Sequence, residues 1–289
     1  MRELHVYRGH QKSEPGFIMG HEFVGEVVET GPKVVTAEYC RVPLADSTVV
    51  KAPPSVDSRK LVLMADIFPT GYFAAKSAFA GLSQDVVGSS TVVLLGCGPV
   101  GLCAIVNALE FRPQHVLAID SVEARLGQAK ALGAEPWNFQ VNMQGIKDRI
   151  TELTDGRGAD IIIESVGHSS ALRLGFDLLR PGGIISSIGV HNGEIPWTGN
   201  EAYGKNLTLK MGRCSVRSLF DEALNVLVKK QHELDFMIDN VRPMSDAVQA
   251  YVPDTRPNRD FLTDLIPSSL SYDDFHNMKY QTIIFEPGK

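Results

Sequence analysis

The sequence predicts an α/β protein built on a doubly wound parallel sheet. From residue 91 onward, short apolar runs alternate with helical stretches of roughly 10–15 residues, the spacing of strand–helix–strand units. The runs are apolar through their centres, as in Ile161-Ile162-Ile163, which suits strands covered on both faces. A glycine-rich turn joins the first run to the helix after it.

The elements follow in chain order. Residues 1–60 are dense in Gly and Pro and read as short strands and turns, with Phe23–Val28 the clearest strand. Leu61 to Ala80 is apolar and Ala-rich and reads as helical, with an interruption expected at Pro69-Thr70-Gly71. Thr91–Leu95 is the first buried strand and Pro99–Phe111 the helix after it. His115–Ile119 and Val122–Leu132 repeat the pattern, and Met143–Leu153 is a third helix. Asp160–Glu164 is a strand, Ser170–Leu179 a helix, Gly183–Ile188 and Leu207–Met211 strands, and Leu219–Lys230 a helix. Ser245–Tyr251 opens like a capped helix, and Thr282–Phe285 reads as a last strand. Trp137, Trp197 and Met211 read as packing residues.

Composition narrows the function. The 289 residues are 44% hydrophobic and 21% charged, ordinary for a globular protein with a sizeable core. A net charge of -6 argues against nucleic acid, whose phosphates need a basic face. The four cysteines form no C-x-x-C pair, so no zinc ribbon is expected, and such sparse cysteines suit a reducing compartment. No apolar leader and no long apolar run stands in the sequence, so the expectation is a cytoplasmic protein with no membrane partner.

Gly96-Cys97-Gly98-Pro99-Val100-Gly101 is a G-x-G-x-x-G placed between a predicted strand and a predicted helix, the context that makes it a dinucleotide fingerprint. Gly96 allows the tight turn, Gly98 a close approach of the pyrophosphate, and Gly101 close helix–strand packing. The helix N-terminus offers N–H groups and the positive end of a dipole to the phosphates. Asp120 ends the second strand about 20 residues beyond Gly101, where an acid accepts from the adenosine ribose. Its charge would repel a 2′-phosphate, which favours NAD over NADP. Arg125, one turn on, is placed to stack on adenine or to meet a phosphate.

Gly20-His21-Glu22 offers an imidazole for zinc and a carboxylate to orient or replace it. Asp66 lies in the apolar run Met64–Tyr72, where an unpaired carboxylate is costly. These residues alone leave a structural histidine the commoner reading.

In combination the segments resemble the zinc-dependent alcohol dehydrogenases of the medium-chain dehydrogenase/reductase superfamily, in a formaldehyde- and threonine-dehydrogenase-like branch. The matching stretches are Leu4–Gly9, Gly20–Val27, Ala65–Tyr72, the glycine turn, Asp120 and Met278–Phe285. The resemblance implies a Rossmann domain over 64–244. It implies a GroES-like β-barrel catalytic domain over 1–63, completed by 245–289. It also implies hydride transfer between NAD and a small alcohol or aldehyde adduct, and a homo-oligomer. By the same resemblance His21, Glu22 and Asp66 bind the catalytic zinc. His5 matches a proton-relay histidine, and Glu22 and Thr70 join the catalytic set. Val166-Gly167 and Ile188-Gly189-Val190 approach the nicotinamide. The alternatives are a non-catalytic NAD-binding module and a zinc-free reductase of the same superfamily.

Three departures from the family pattern stand out. The family's cysteine ligand would fall before Met1. Pro32–Thr36 runs almost directly into Ala37-Glu38-Tyr39, where the family carries a strand pair and a four-cysteine zinc lobe, so no structural zinc is expected. Val252–Tyr272 is an atypical insertion. Together they predict a truncated form with a complete nucleotide half and an incomplete barrel.

Overall fold

The structure, a computed structural model, describes residues 22–25, 42, 44–191, 193–238, 240–243 and 283–286. The chain divides into two compact units, one of residues 1–65 with 234–289 and the other of residues 66–233.

In the first unit two short helices, α1 (Ala45–Thr48) and α2 (Ser58–Leu61), precede a single 3-10 stretch, Val62–Ala65. Asp57 caps α2 by accepting the Arg59 N–H at 2.9 Å. Leu63 and Met64 are fully buried. The buried Lys60 ammonium pairs with the exposed Asp235 carboxylate at 2.5 Å. The strand expected at 23–28 is not borne out where it is described, since Glu22–Gly25 is irregular. Gly and Pro density signals turns, and the turns here lead into short helices. The expected helix at 245–251 and the insertion at 252–272 lie outside the described residues.

The second unit opens with α3 (Ile67–Phe79) and α4 (Gln84–Gly88). Six strands follow: β1 (Thr91–Leu95), β2 (His115–Asp120), β3 (Glu135–Asn138), β4 (Ala159–Glu164), β5 (Leu179–Ser187) and β6 (Thr208–Met211). The helices between and after them are α5 (Pro99–Glu110), α6 (Glu123–Ala131), α7 (Met143–Leu153), α8 (Ser169–Leu178), α9 (Gly199–Lys205) and α10 (Val216–Lys230). The strands form one parallel sheet in the order β3-β2-β1-β4-β5-β6, so the chain reverses direction of winding between β1 and β4. In the first unit a separate parallel pair joins β7 (Asn240–Pro243) to β8 (Ile283–Glu286), in agreement with the last predicted strand.

Successive side chains of a strand point to opposite faces. Val93, Leu95 and Ile162 meet Ile146 and Ile150 of α7 and Phe176 of α8 in the main core. Val92 and Leu94, on the opposite face, are equally buried, and α3 and α5 pack there on each other and on the sheet. The predicted apolar strands are therefore covered on both sides. Trp137 and Trp197 pack against the core, as expected. Met211 does not; it stands 41% exposed on the edge strand β6.

The expected break at Pro69-Thr70-Gly71 does not occur, because α3 runs through it. Pro69 is the third residue of the helix, where the N–H has no intrahelical partner to lose. Gly71 is what lets α3 lie on α5: a Cβ there would sit 2.6 Å from the Ala104 nitrogen. β3 and α9 are among the elements that were not expected. β3 carries Pro136, which an edge strand tolerates because one side of it has no partner strand to miss the N–H that proline lacks. α9 is short and polar and is held by a capping box between Thr198 and Glu201. β5 also starts earlier than expected, at Leu179. Lys205, at the end of α9, donates to the carbonyls of Phe176 and Leu179, which satisfies the open end of α8.

Among the described residues no helix is long and apolar enough to cross a membrane.

Candidate functional site

The site lies at the carboxyl ends of β1, β4 and β5, beside the winding reversal, where open α/β sheets hold their ligands. Gly96 leaves β1 with a φ of 90°, and its N–H donates to Ile119 across 2.9 Å. Gly101 comes back against it: a Cβ there would lie 1.9 Å from the Gly96 oxygen. Gly98 is the N-cap of α5 and Pro99 its first residue, and no side chain caps this end. A Cβ on Gly98 would meet nothing within 4 Å, so the turn is open at the place where the fingerprint needs a phosphate to approach. Val100 follows Pro99 in the first turn of the helix, under the same dipole end.

Asp120 is 7% exposed. Its Oδ2 accepts the Cys97 N–H at 2.7 Å, and its Oδ1 accepts from Ser121 and Val122 at 2.7 and 2.9 Å. The acid thus ties the glycine turn to the end of β2 while reaching the edge of the site. Arg125 turns toward it, with its Nη1 3.7 Å from Oδ2. Burial, and then the Asp120 charge, push the Cys97 thiol well above the ordinary range, so this cysteine is a small core residue.

Val166 and Gly167 follow β4, and Ile188, Gly189 and Val190 follow β5. Val166 and Val190 are 52% and 58% exposed. Gly96 and Val166 touch, since a Cβ on Gly96 would lie 2.7 Å from the Val166 Cγ2. The structure therefore brings together the glycine turn, Asp120, Arg125 and both turns expected near the nicotinamide. It adds two residues that sequence reasoning missed. Glu164, fully buried at the end of β4, accepts from Val166 and Gly167, and its other oxygen meets His191.

The expected metal and catalytic residues are less completely placed. Asp66 is the N-cap of α3, and its Oδ1 accepts the Thr70 hydroxyl at 2.9 Å. Cys214, beyond β6, sits on the same corner, its Sγ directed at the Pro69 oxygen at 3.4 Å. Burial, and then the Asp66 charge, raise its thiol to about 11. No sequence signal linked Cys214 to Asp66. Glu22 is half-buried and belongs to the first unit, whereas Asp66 begins the second. His5 and His21 lie outside the described residues. Among the described residues no cluster of three or more His, Cys, Asp or Glu is suited to hold a metal. Cys97, Cys103 and Cys214 form no disulfide.

Comparison with known proteins decides the family. The zinc-binding dehydrogenase family model matches residues 99–229, which span the glycine-turn helix to the end of α10. A zinc-type alcohol dehydrogenase B from Aspergillus flavus is 48% identical, over 99% of this chain and 72% of that protein. The chain belongs to the zinc-type alcohol dehydrogenase family.

Within that family, a medium chain reductase/dehydrogenase from an Acremonium species is 46% identical over 70% of this chain and 84% of its own length. Among solved structures, an alcohol dehydrogenase from Thermotoga maritima superposes with a TM-score of 0.69 at 25% identity, over 83% of this chain and 60% of that one. The chain is thus similar to medium-chain alcohol dehydrogenases in its Rossmann-type sheet and in sequence, and it spans 72% of the Aspergillus protein and 60% of the Thermotoga one. Membership makes it an oxidoreductase of the alcohol dehydrogenase kind.

Proposed function

We propose that this chain binds NAD and transfers a hydride between the nicotinamide and a small alcohol or aldehyde adduct. The glycine turn closed by Asp120 carries the reading. The open face of Gly98 at the N-terminus of α5 suits a pyrophosphate, which the helix dipole and free N–H groups favour. Asp120, with Arg125 beside it, suits the two hydroxyls of an adenosine ribose and disfavours a 2′-phosphate. The exposed Val166 and Val190 give the nicotinamide an apolar rest. NAD, when bound, accepts or gives a hydride at C4 of its ring.

The metal reading rests on donor chemistry and on the family. His21, Glu22 and Asp66 supply an imidazole and carboxylates, ligand types that zinc accepts. Zinc held there would lower the pKa of the substrate hydroxyl and polarise the carbonyl in the reverse direction. Thr70 steadies one Asp66 oxygen by its hydroxyl, and His5 relays a proton. In this reading the first unit is the catalytic domain, of GroES-like type, and the edge strand β6 pairs with a second copy. Four sparse cysteines with no C-x-x-C pair fit a cytoplasmic protein.

Zinc content per chain, measured on the purified protein together with NADH fluorescence, tests the reading. Near-stoichiometric zinc and NADH binding support it, and a screen of alcohols then names the substrate. NADH binding without zinc would leave a nucleotide-binding module in place of the enzyme. Binding of neither would sink the proposal.

A further inference from the structure

Glu164 is the only fully buried carboxylate among the described residues, with a side chain 0% exposed. A buried charge survives in a core only when hydrogen bonds replace its water. Here four donors do so. Oε1 accepts the N–H groups of Val166 at 2.8 Å and Gly167 at 2.6 Å. Oε2 accepts the Ser187 hydroxyl at 2.7 Å and lies 3.1 Å from the His191 Nε2. One oxygen therefore holds the turn after β4, and the other holds the end of β5 and the turn after it.

These turns leave no room for adjustment. A Cβ on Gly167 would lie 2.6 Å from both the nitrogen and the oxygen of Val190. A Cβ on Gly189 would lie 2.1 Å from the Gly167 nitrogen. The two backbones touch directly, and the first also touches the glycine turn through Gly96 and Val166. His191 is nearly as buried as Glu164, at 7% side-chain exposure, and its Nδ1 has no hydrogen-bond partner among the described residues. Among them the ring is therefore held through Glu164 and not from its other side.

We propose that Glu164 and His191 are positioning residues for the nicotinamide end of the cofactor. They fix the two turns that carry Val166 and Val190 and touch the ligand only through those turns. This rests on the NAD reading above. Glu164→Gln keeps the shape and can still accept from Val166 and Gly167. Its neutral amide, however, replaces the carboxylate that faces the His191 ring and the Ser187 hydroxyl, so the charge-assisted hold on the second turn weakens. His191→Phe fills the same space, removes the imidazole, and leaves Glu164 with its other three donors.

The test uses the full chain and two ligands, NADH and ADP-ribose, which shares the adenosine and pyrophosphate but lacks nicotinamide. Both Kd values are measured by titration for wild type, Glu164→Gln and His191→Phe. The expected result is a rise of about tenfold in the NADH Kd of both variants, with ADP-ribose unchanged within about twofold. Equal weakening of both ligands would show a general structural role and overturn the proposal. So would unchanged NADH binding in both variants. A wild-type chain that binds both ligands while the variants do not differ removes this inference alone. A wild-type chain that binds neither removes the NAD reading, and the inference with it.

Discussion

The carboxylate of Asp120 accepts the backbone N–H of Cys97 across 2.7 Å, so the acid that ends β2 also closes the glycine turn that follows β1. One side chain thus sets the shape of the turn and presents charge at its rim. Asp120→Ala would leave the Cys97 N–H buried and unpaired and would remove the carboxylate beside Arg125. The expected cost is about 1–3 kcal/mol in denaturant unfolding, together with a loss of NADH affinity of about tenfold or more. Unchanged unfolding with weakened NADH binding would assign Asp120 to the ligand alone.

Gly101→Ala tests the turn from its other side. The added methyl would sit 1.9 Å from the Gly96 oxygen, a backbone atom that cannot swing aside, and 2.9 Å from the Ser165 Oγ. The turn must open to admit it, at about 1–3 kcal/mol. NADH fluorescence enhancement should vanish, while circular dichroism keeps its α/β shape. Gly98→Ala, at the open position, should fold with wild-type stability.

Thiol chemistry follows burial. Cys214 has its thiol raised from 9.0 to about 11, and Cys97 is raised further. Both stay protonated at pH 8, so iodoacetamide should leave them unmodified in the native protein and label them in urea, as read by peptide mass spectrometry. The linkage sign is fixed by the direction of the shift. Below 9.0 the folded and unfolded thiols are both protonated, and the contribution is complete. Between 9.0 and about 11 only the unfolded thiol ionises, so stability falls as pH rises. A stability profile flat across that window would contradict the burial of Cys214.

The capping box of α9 gives the acid-side counterpart. The Thr198 backbone N–H, then the Arg173 guanidinium, hold the Glu201 carboxyl down from 4.5 to about 2. Its contribution is complete above 4.5 and is lost as pH falls toward 2. Glu201→Gln should flatten that part of the stability profile. Thr198→Ala should cost about 1 kcal/mol at neutral pH, measured by urea unfolding.

Much of the nucleotide half was legible because its strands are apolar and β-branched and its turn has a fixed glycine spacing. Thr91–Leu95 and Ile161–Ile163 admit few other readings, and Asp120 stands where a ribose acid stands. The misses share a cause: local signals were overruled by position. Pro69 reads as a breaker except in the first helical turn, and Pro136 reads as a non-strand except at a sheet edge. Glu164 reads as an ordinary strand end and His191 carries no signal, since only the folded chain shows that they meet. Cys214 is far from Asp66 in sequence, so no spacing rule joins them. The Thr198-x-x-Glu201 capping pattern was readable and would have located α9.

The order β3-β2-β1-β4-β5-β6 has a consequence for synthesis. The strand made first, Thr91–Leu95, ends up near the middle of the sheet. As the chain leaves the ribosome, β2 and β3 can join only one of its edges. The other edge, a bare row of backbone donors and acceptors beside Val92, Val93 and Leu94, waits until Ala159–Glu164 has been made. During that interval the nascent chain presents an apolar strand with an open side, the feature that invites mispairing with other chains. Cells that slow translation in this stretch, or that lack a chaperone able to cover it, should recover this protein mainly as aggregate even though its finished sheet leaves open only the outer edges of β3 and β6.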